Sequence, residues 1–346
     1  MDGRALDHAD GTGVSRYIRA LIAAFRDGHG VRLTVYRGSR ARLVGPQVLT
    51  PLRMRMAAAD VVHGPANALP LVRFGLPGVV TVHDLAIYDH PEWFPKGQWF
   101  ATRIVVPRSL RAAQFVICPS EATQAAAIRL LGVDHARCRV IPHGVEAEFA
   151  LPVAPAVCAE LRQTYALPAR FILQVGTVQP RKNYVTTLRA LATIPAAERI
   201  PLLIAGGFGW NYEPVLSAID DLKLKPWVRF VGYVGPRDLA ALYQLARVVA
   251  FPSLDEGFGL PVLEAFAAGV PIAASNAGAI PEVAGDAALL SAADDEGALA
   301  ENLMALMHDG ALRERQIAAG RVRAARYTWS RSAAAHRAVY TEARAA

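Results

Sequence analysis

With 346 residues, 53% of them hydrophobic and 19% charged, the chain is too long for one comfortable core and suits two globular domains. Its longest uncharged run, between Glu264 and Glu282, is broken by two prolines and two glycines, so no segment reads as a membrane-spanning helix of roughly 20 apolar residues. The net charge of +7 is lopsided: residues 1–150 hold 18 Lys and Arg against 12 Asp and Glu, and the remainder 19 against 18.

Met1-Asp2-Gly3-Arg4-Ala5-Leu6 reads as the end of a first strand and the loop after it, with the apolar strand itself missing. A start assigned too far downstream and a trimmed chain are the two explanations left open. A missing central strand would leave ladder partners unpaired. Gly11-Thr12-Gly13 then opens an amphipathic helix over Ser15–Phe25, with Tyr17, Ile18, Leu21 and Ile22 on one face. A glycine turn heading the first helix of a βαβ unit is either plain turn chemistry or an anion or sugar site. Arg37, Arg40, Arg42, Arg53 and Arg55 make a dense basic cluster. Such a face attracts anionic lipid, a phosphorylated substrate or nucleic acid, or is simply solvated surface. No nucleic-acid motif accompanies it, so nucleic acid is the poorest choice.

Short apolar runs then alternate with helical patterns. Strands are expected near residues 31–36, 61–63, 79–83, 115–119 and 140–142, and again near 171–175, 202–205, 228–232, 248–252 and 272–275. Helices are expected at 120–130, 183–193, 237–245 and 299–307. Runs that are apolar throughout, rather than at every second residue, argue for parallel sheets covered on both faces. The fold class is therefore α/β, with two Rossmann-like domains. Pro152 and Pro155 interrupt both periodicities and place the boundary near residue 150. Three cysteines without a Cys-x-x-Cys spacing read as small buried hydrophobes. The N-terminus lacks a basic-then-apolar leader, from which a cytoplasmic location is expected.

Three motifs sit where strands end. Val79-Val-Thr-Val runs into His83-Asp84, at the carboxyl edge where open α/β sheets bind ligands; a strand-end histidine is otherwise structural. Gly176-Thr177-Val178-Gln179-Pro180-Arg181-Lys182-Asn183 places two adjacent cations before a helix, able to neutralise a diphosphate or merely exposed, with Asn183 as a cap. Asp255-Glu256-Gly257-Phe258-Gly259-Leu260-Pro261-Val262-Leu263-Glu264 follows an apolar run and combines a glycine turn with a proline-started helix. That order aims backbone N–H groups at a phosphate. The plain alternative is a crossover with two solvated glutamates.

The last motif resembles the Glu-x7-Glu signature of retaining GT-B glycosyltransferases of glycosyltransferase family 4, and Ala273–Ala288 is similar to another stretch of that family. The resemblance implies two domains facing a central cleft. Residues 1–150 would bind acceptor, residues 151–327 would bind a nucleotide sugar, and residues 328–346 would return to the first domain as a helix. Glu256 would hold the donor sugar and support developing charge. Gly257, Phe258, Gly259 and Leu260 would lie by sugar and diphosphate, and Glu264 would hold the ribose. Arg181 and Lys182 would steady the departing diphosphate, with Gly176 and Thr177 beside them; Thr177 stands where many members carry an arginine. His83 would lie by the attacked carbon with Asp84 orienting it, Gly11 and Gly13 by phosphate and acceptor, and Tyr233 and Val234 against the base. No Asp-x-Asp is present of the kind GT-A enzymes use for a metal, so neither metal nor other cofactor is expected.

The pattern is also similar to bacterial mannosyltransferases of polysaccharide assembly. GDP-mannose is therefore the first donor and a UDP-hexose the second. A saccharide or polyprenyl-linked acceptor would fit peripheral docking at an anionic inner leaflet. The competing readings are a UDP-hexose-dependent glucosyl- or N-acetylhexosaminyltransferase, a nucleotide-sugar epimerase of the same fold, a two-carboxylate glycosidase and a non-catalytic binder. The paired cations speak against the last.

Overall fold

The computed structural model describes residues 1–3, 13–26, 30–36, 49–70 and 72–345. The chain forms two compact units, one of Met1–Pro91, Pro95–Gly144 and Thr328–Ala346, the other of Glu92–Phe94 and Val145–Tyr327. The division falls at Gly144/Val145, ahead of the expected residue 150, because the intervening segment belongs to the second unit. Phe149 is buried in that unit's core, and Gln244 Nε2 donates to the carbonyls of Phe149 and Leu151 at 3.2 and 2.7 Å.

In the first unit, β1 (Val62–Gly64), β2 (Gly78–Thr81), β3 (Phe115–Cys118) and β4 (Cys138–Val140) form a parallel sheet in the order β1-β2-β3-β4. Helices α1 (Gly13–Arg26), α2 (Thr50–Met56), α3 (Ala86–Asp89), α4 (Val106–Ala112) and α5 (Glu121–Leu131) accompany it. Among the described residues, the expected strand at 31–36 makes one bridge, between Asp2 and Tyr36.

The second unit holds β5 (Ile172–Val175), β6 (Leu202–Ala205), β7 (Val228–Gly232), β8 (Val248–Phe251), β9 (Ile272–Ser275) and β10 (Leu289–Ser291). All are parallel, in the order β10-β9-β8-β5-β6-β7. Its helices are α6 (Pro155–Thr164), α7 (Tyr184–Thr193), α8 (Glu213–Asp221), α9 (Pro236–Leu245), α10 (Leu260–Ala268), α11 (Ile280–Ala284), α12 (Glu296–His308) and α13 (Gly310–Ala324). Alternate residues of the apolar strands enter opposite cores: Leu173, Leu203, Val249 and Phe251 on one face, Ile172, Leu202, Ile204 and Val248 on the other. Both faces are covered, as a run apolar at every position requires. The chain order reverses between β5 and β8, the switch point outside which doubly wound sheets bind ligands.

The final helix, α14 (Trp329–Ala345), belongs to the first unit. Trp329 and Ala333 bury against α1, and Val339 and Ala343 against β2 and β3. A buried chain of hydrogen bonds fixes it. His336 Nδ1 bonds the carbonyl of Ser332 at 2.7 Å, so it carries the proton and leaves Nε2 as acceptor. The Tyr17 hydroxyl therefore donates to His336 Nε2 at 2.8 Å and accepts from Thr81 at 3.0 Å. Thr81 in turn accepts from His63 Nε2 at 2.8 Å, and His63 Nδ1 accepts from Tyr340 at 2.8 Å. One carbonyl thus sets every donor direction. Burial depresses the pKa of both histidines, to about 4 at His336, which keeps them neutral as this order needs.

Candidate active site

The loops after β5 and β8, the two strands at the switch point, carry the charged residues. Arg181 and Lys182 lie in a short 3-10 turn over Pro180–Lys182. Arg181 Nη1 donates to Glu256 Oε2 at 2.9 Å and to the Asp255 carbonyl at 3.0 Å. Lys182 Nζ reaches Glu256 Oε1 at 2.5 Å and lies 5.1 Å from the centre of the Phe251 ring. Glu256 is only 7% exposed. Burial alone would push its carboxyl up; the Arg181 and Lys182 charges outweigh this and hold it at about 2.

The next residues run as expected into a helix. Gly259 adopts φ 100°, a left-handed conformation open to glycine, and α10 starts at Leu260 with Pro261 in its first turn. Gly257 has no positive φ, so only the second glycine of the motif is used for its conformation. Phe258 is 5% exposed and packs edge-on to Tyr327 at 5.9 Å, which makes its side chain part of the core and leaves only its backbone for a ligand. Glu264 falls one turn into α10, is buried, and accepts from the Tyr243 hydroxyl at 2.7 Å.

Asn183, expected as a cap, adopts φ 54° and makes no side-chain bond to the helix backbone. Instead its Nδ2 donates to the carbonyls of Pro252 and Ala293 at 2.9 and 2.7 Å, tying the cation turn to the segments after β8 and β10. Gln174 Nε2 adds a bond to the Lys182 carbonyl at 2.9 Å, and the Tyr184 hydroxyl one to the Gly176 carbonyl at 2.6 Å.

Gly278 is a further supporting residue that sequence reasoning passed over. A Cβ there would stand 2.5 Å from the Glu256 carbonyl oxygen and 2.7 Å from its nitrogen, and the residue has φ 54°. Its neighbour Ala279 donates to that carbonyl at 2.8 Å. The signal was present in the run Ala277-Gly278-Ala279, but only the fold shows what it touches. Thr177 is exposed, Tyr233 is 53% exposed just after β7, and Val234 is buried.

In the first unit His83 follows β2 by two residues, half-buried. Its Nε2 donates to the Pro65 carbonyl at 2.7 Å, and its backbone N–H to Asn67 Oδ1 at 2.9 Å. The Pro65 carbonyl therefore anchors the ring, and the neighbouring Asp84 acts on it through its charge. Tyr17 and His143 lie against it with ring centres 4.8 and 5.4 Å away. Burial lowers the pKa of His83, so the ring is neutral with Nε2 protonated and Nδ1 an acceptor. Gly13 heads α1. Gly11 lies outside the described residues.

Residues 11–149 match the model of Glycosyltransferase Family 4, and residues 160–323 that of Glycosyl transferases group 1. The chain is 32% identical over 310 residues to O-antigen chain mannosyltransferase B of Escherichia coli, covering 87% of this chain and 80% of that one. It is also 32% identical over 310 residues to a D-inositol 3-phosphate glycosyltransferase of Xylanimonas cellulosilytica, covering 82% and 72%. Among solved structures, HepE of Anabaena in complex with UDP and glucose superposes with a TM-score of 0.77 at 20% identity over 96% of both chains. WaaG, a glycosyltransferase involved in lipopolysaccharide biosynthesis, gives 0.72 at 19% identity over 94% and 96%. The chain belongs to glycosyltransferase family 4 and has the GT-B fold.

Proposed function

We propose that this enzyme moves a hexose, mannose from GDP-mannose first, onto a saccharide or polyprenyl-linked acceptor with retention at the anomeric carbon. The observation that carries it is the buried Arg181–Glu256–Lys182 cluster at the switch point of the second sheet. Two cations already fixed in place stabilise the charge a diphosphate gains on leaving, without reorganising at the moment of reaction. No metal is assigned to this role. Glu256 holds the cations together and meets donor hydroxyls, Glu264 takes the ribose, and His83 presents Nδ1 as an acceptor to the sugar. The start of α10 turns backbone amides toward phosphate. A mannosyltransferase among the relatives supports the choice of sugar, and a UDP-glucose complex in a fold neighbour keeps UDP-hexose as the second donor.

The test is thermal shift with GDP-mannose and UDP-glucose side by side, followed by transfer to a saccharide acceptor. GDP-mannose should raise Tm by the larger amount, since a ligand at 100 times its Kd adds about 2.7 kcal/mol. Release of nucleoside diphosphate at a rate indifferent to acceptor would favour the epimerase or hydrolase readings.

A peripheral membrane contact is the second part of the proposal. In α2, Leu52 and Met56 are 38% and 79% exposed, with Arg53 and Arg55 between them and Leu49 just ahead at 42%. Apolar side chains interleaved with arginines fit the headgroup region of an anionic leaflet.

A further inference from the structure

Tyr243 and Gln244 are consecutive residues in the last turn of α9. The Tyr243 ring is fully buried and packs edge-on to Phe149, with ring centres 5.7 Å apart. Its hydroxyl crosses to α10 and donates to Glu264 Oε2 at 2.7 Å. Gln244 holds the segment that carries Phe149: its Nε2 donates to the Phe149 carbonyl at 3.2 Å, and its Oε1 accepts from the Val153 N–H at 3.2 Å. One turn of α9 thus grips residues 149–153 with one side chain and the Glu264 carboxylate with the other.

A glutamate side chain has several rotatable bonds, and ordering them when a ligand arrives costs affinity. Tyr243 meets that cost during folding, because its own ring is fixed by Phe149 and the surrounding core. The donor is also neutral. Arg181 and Lys182 set two cations on Glu256, whereas a phenol orients the Glu264 carboxylate without cancelling its charge. Each carboxylate oxygen has two lone-pair directions, so Oε2 can accept from Tyr243 and still accept from a sugar hydroxyl.

We infer that Tyr243 is a positioning residue of the donor site: its hydroxyl sets the plane of the Glu264 carboxylate that receives the ribose hydroxyls, and it acts on the donor through Glu264 alone. This rests on the reading of Glu264 as the ribose ligand and adds to it the residue that aims that ligand. The ribose hydroxyls are the same in the bound donor and in the transition state. Tyr243 therefore acts on binding and leaves the chemical step unchanged.

The experiment compares the full chain with its Tyr243→Phe variant, which keeps the ring against Phe149 and removes only the hydroxyl. KM for the donor should rise about tenfold, the scale of a hydrogen bond to a charged group, with kcat within about twofold. Calorimetry then sets GDP against 2′,3′-dideoxy-GDP, or UDP against its dideoxy form if UDP binds more tightly. The preference for the ribonucleotide should shrink by about fivefold or more in Tyr243→Phe, while affinity for the dideoxy form stays the same. A tyrosine that only supports the fold would weaken both nucleotides alike, so an unchanged preference overturns the inference. Glu264→Gln separates the inference from the reading beneath it. If that variant keeps the wild-type preference, Glu264 is not the ribose ligand and both fall. If it loses the preference while Tyr243→Phe retains it, the inference alone falls.

Discussion

Lys182 Nζ lies 2.5 Å from Glu256 Oε1, while Arg181 holds the other oxygen of that carboxylate at 2.9 Å. The three side chains are between 9% and 13% exposed, so their attraction is little screened by water or salt. Removing Glu256 would take away the carboxylate that both cations share.

Lys182→Ala should lower turnover by about 10²-fold or more, the range of electrostatic contacts to developing charge. Single-turnover transfer measures it, with far-UV circular dichroism checking that the protein stays folded. Turnover within a few-fold of wild type would remove Lys182 from the chemistry.

Glu256→Gln should destabilise by about 3 kcal/mol in chemical denaturation, the size expected for breaking a buried charge cluster. The wild-type pH dependence follows. With the native carboxyl at about 2 and an ordinary value of 4.5, its stabilisation is complete above pH 4.5 and disappears as pH falls toward 2. The Gln variant should lack that phase.

The buried histidines act in a different window. His63, His83, His143 and His336 all have pKa values lowered by burial, His336 to about 4. Unfolded chains bind these protons near pH 6.5 and the native state does not, so stability is full above that pH and falls on acidification toward 4. His336 alone accounts for on the order of 3 kcal/mol. Urea titrations between pH 7 and 4 should show the loss in the first unit, before Glu256 titrates.

Gly278→Ala should displace the Asp255–Glu256 backbone, because its Cβ would overlap Glu256 and the residue keeps φ 54°. A loss of 1–3 kcal/mol is expected from the backbone strain alone. Donor affinity should drop with it, read by calorimetry; unaltered affinity would separate Gly278 from the site.

Replacing Arg42, Arg53 and Arg55 by Gln should weaken association with anionic vesicles by about 1 kcal/mol per arginine, while binding to neutral vesicles stays the same. Vesicle co-sedimentation measures both.

Much of the fold was legible because parallel strands buried on both faces are continuous apolar words. Leu202–Ala205, Val228–Gly232 and Ile272–Ser275 coincide with β6, β7 and β9 to the residue. β10 was missed: Leu289–Ser291 is a half-buried edge strand in an alanine-rich run without β-branched residues. Of the candidate site, the charged residues were readable from their place after β5 and β8. Their pairing through Glu256 was not, since a hydrogen bond across 74 or 75 residues has no local signature. Nor could periodicity reveal that the Pro65 carbonyl accepts from His83, or that Asn183 Nδ2 bridges the carbonyls of Pro252 and Ala293.

The membership of α14 in the first unit bears on how the protein is made. Residues 145–327 emerge from the ribosome as one uninterrupted stretch and can close their sheet as soon as they are out. The first unit begins earlier yet finishes later, because Tyr17 waits for His336, and His63 for Tyr340, in the segment that follows the second unit. The half synthesised first is the half that matures last.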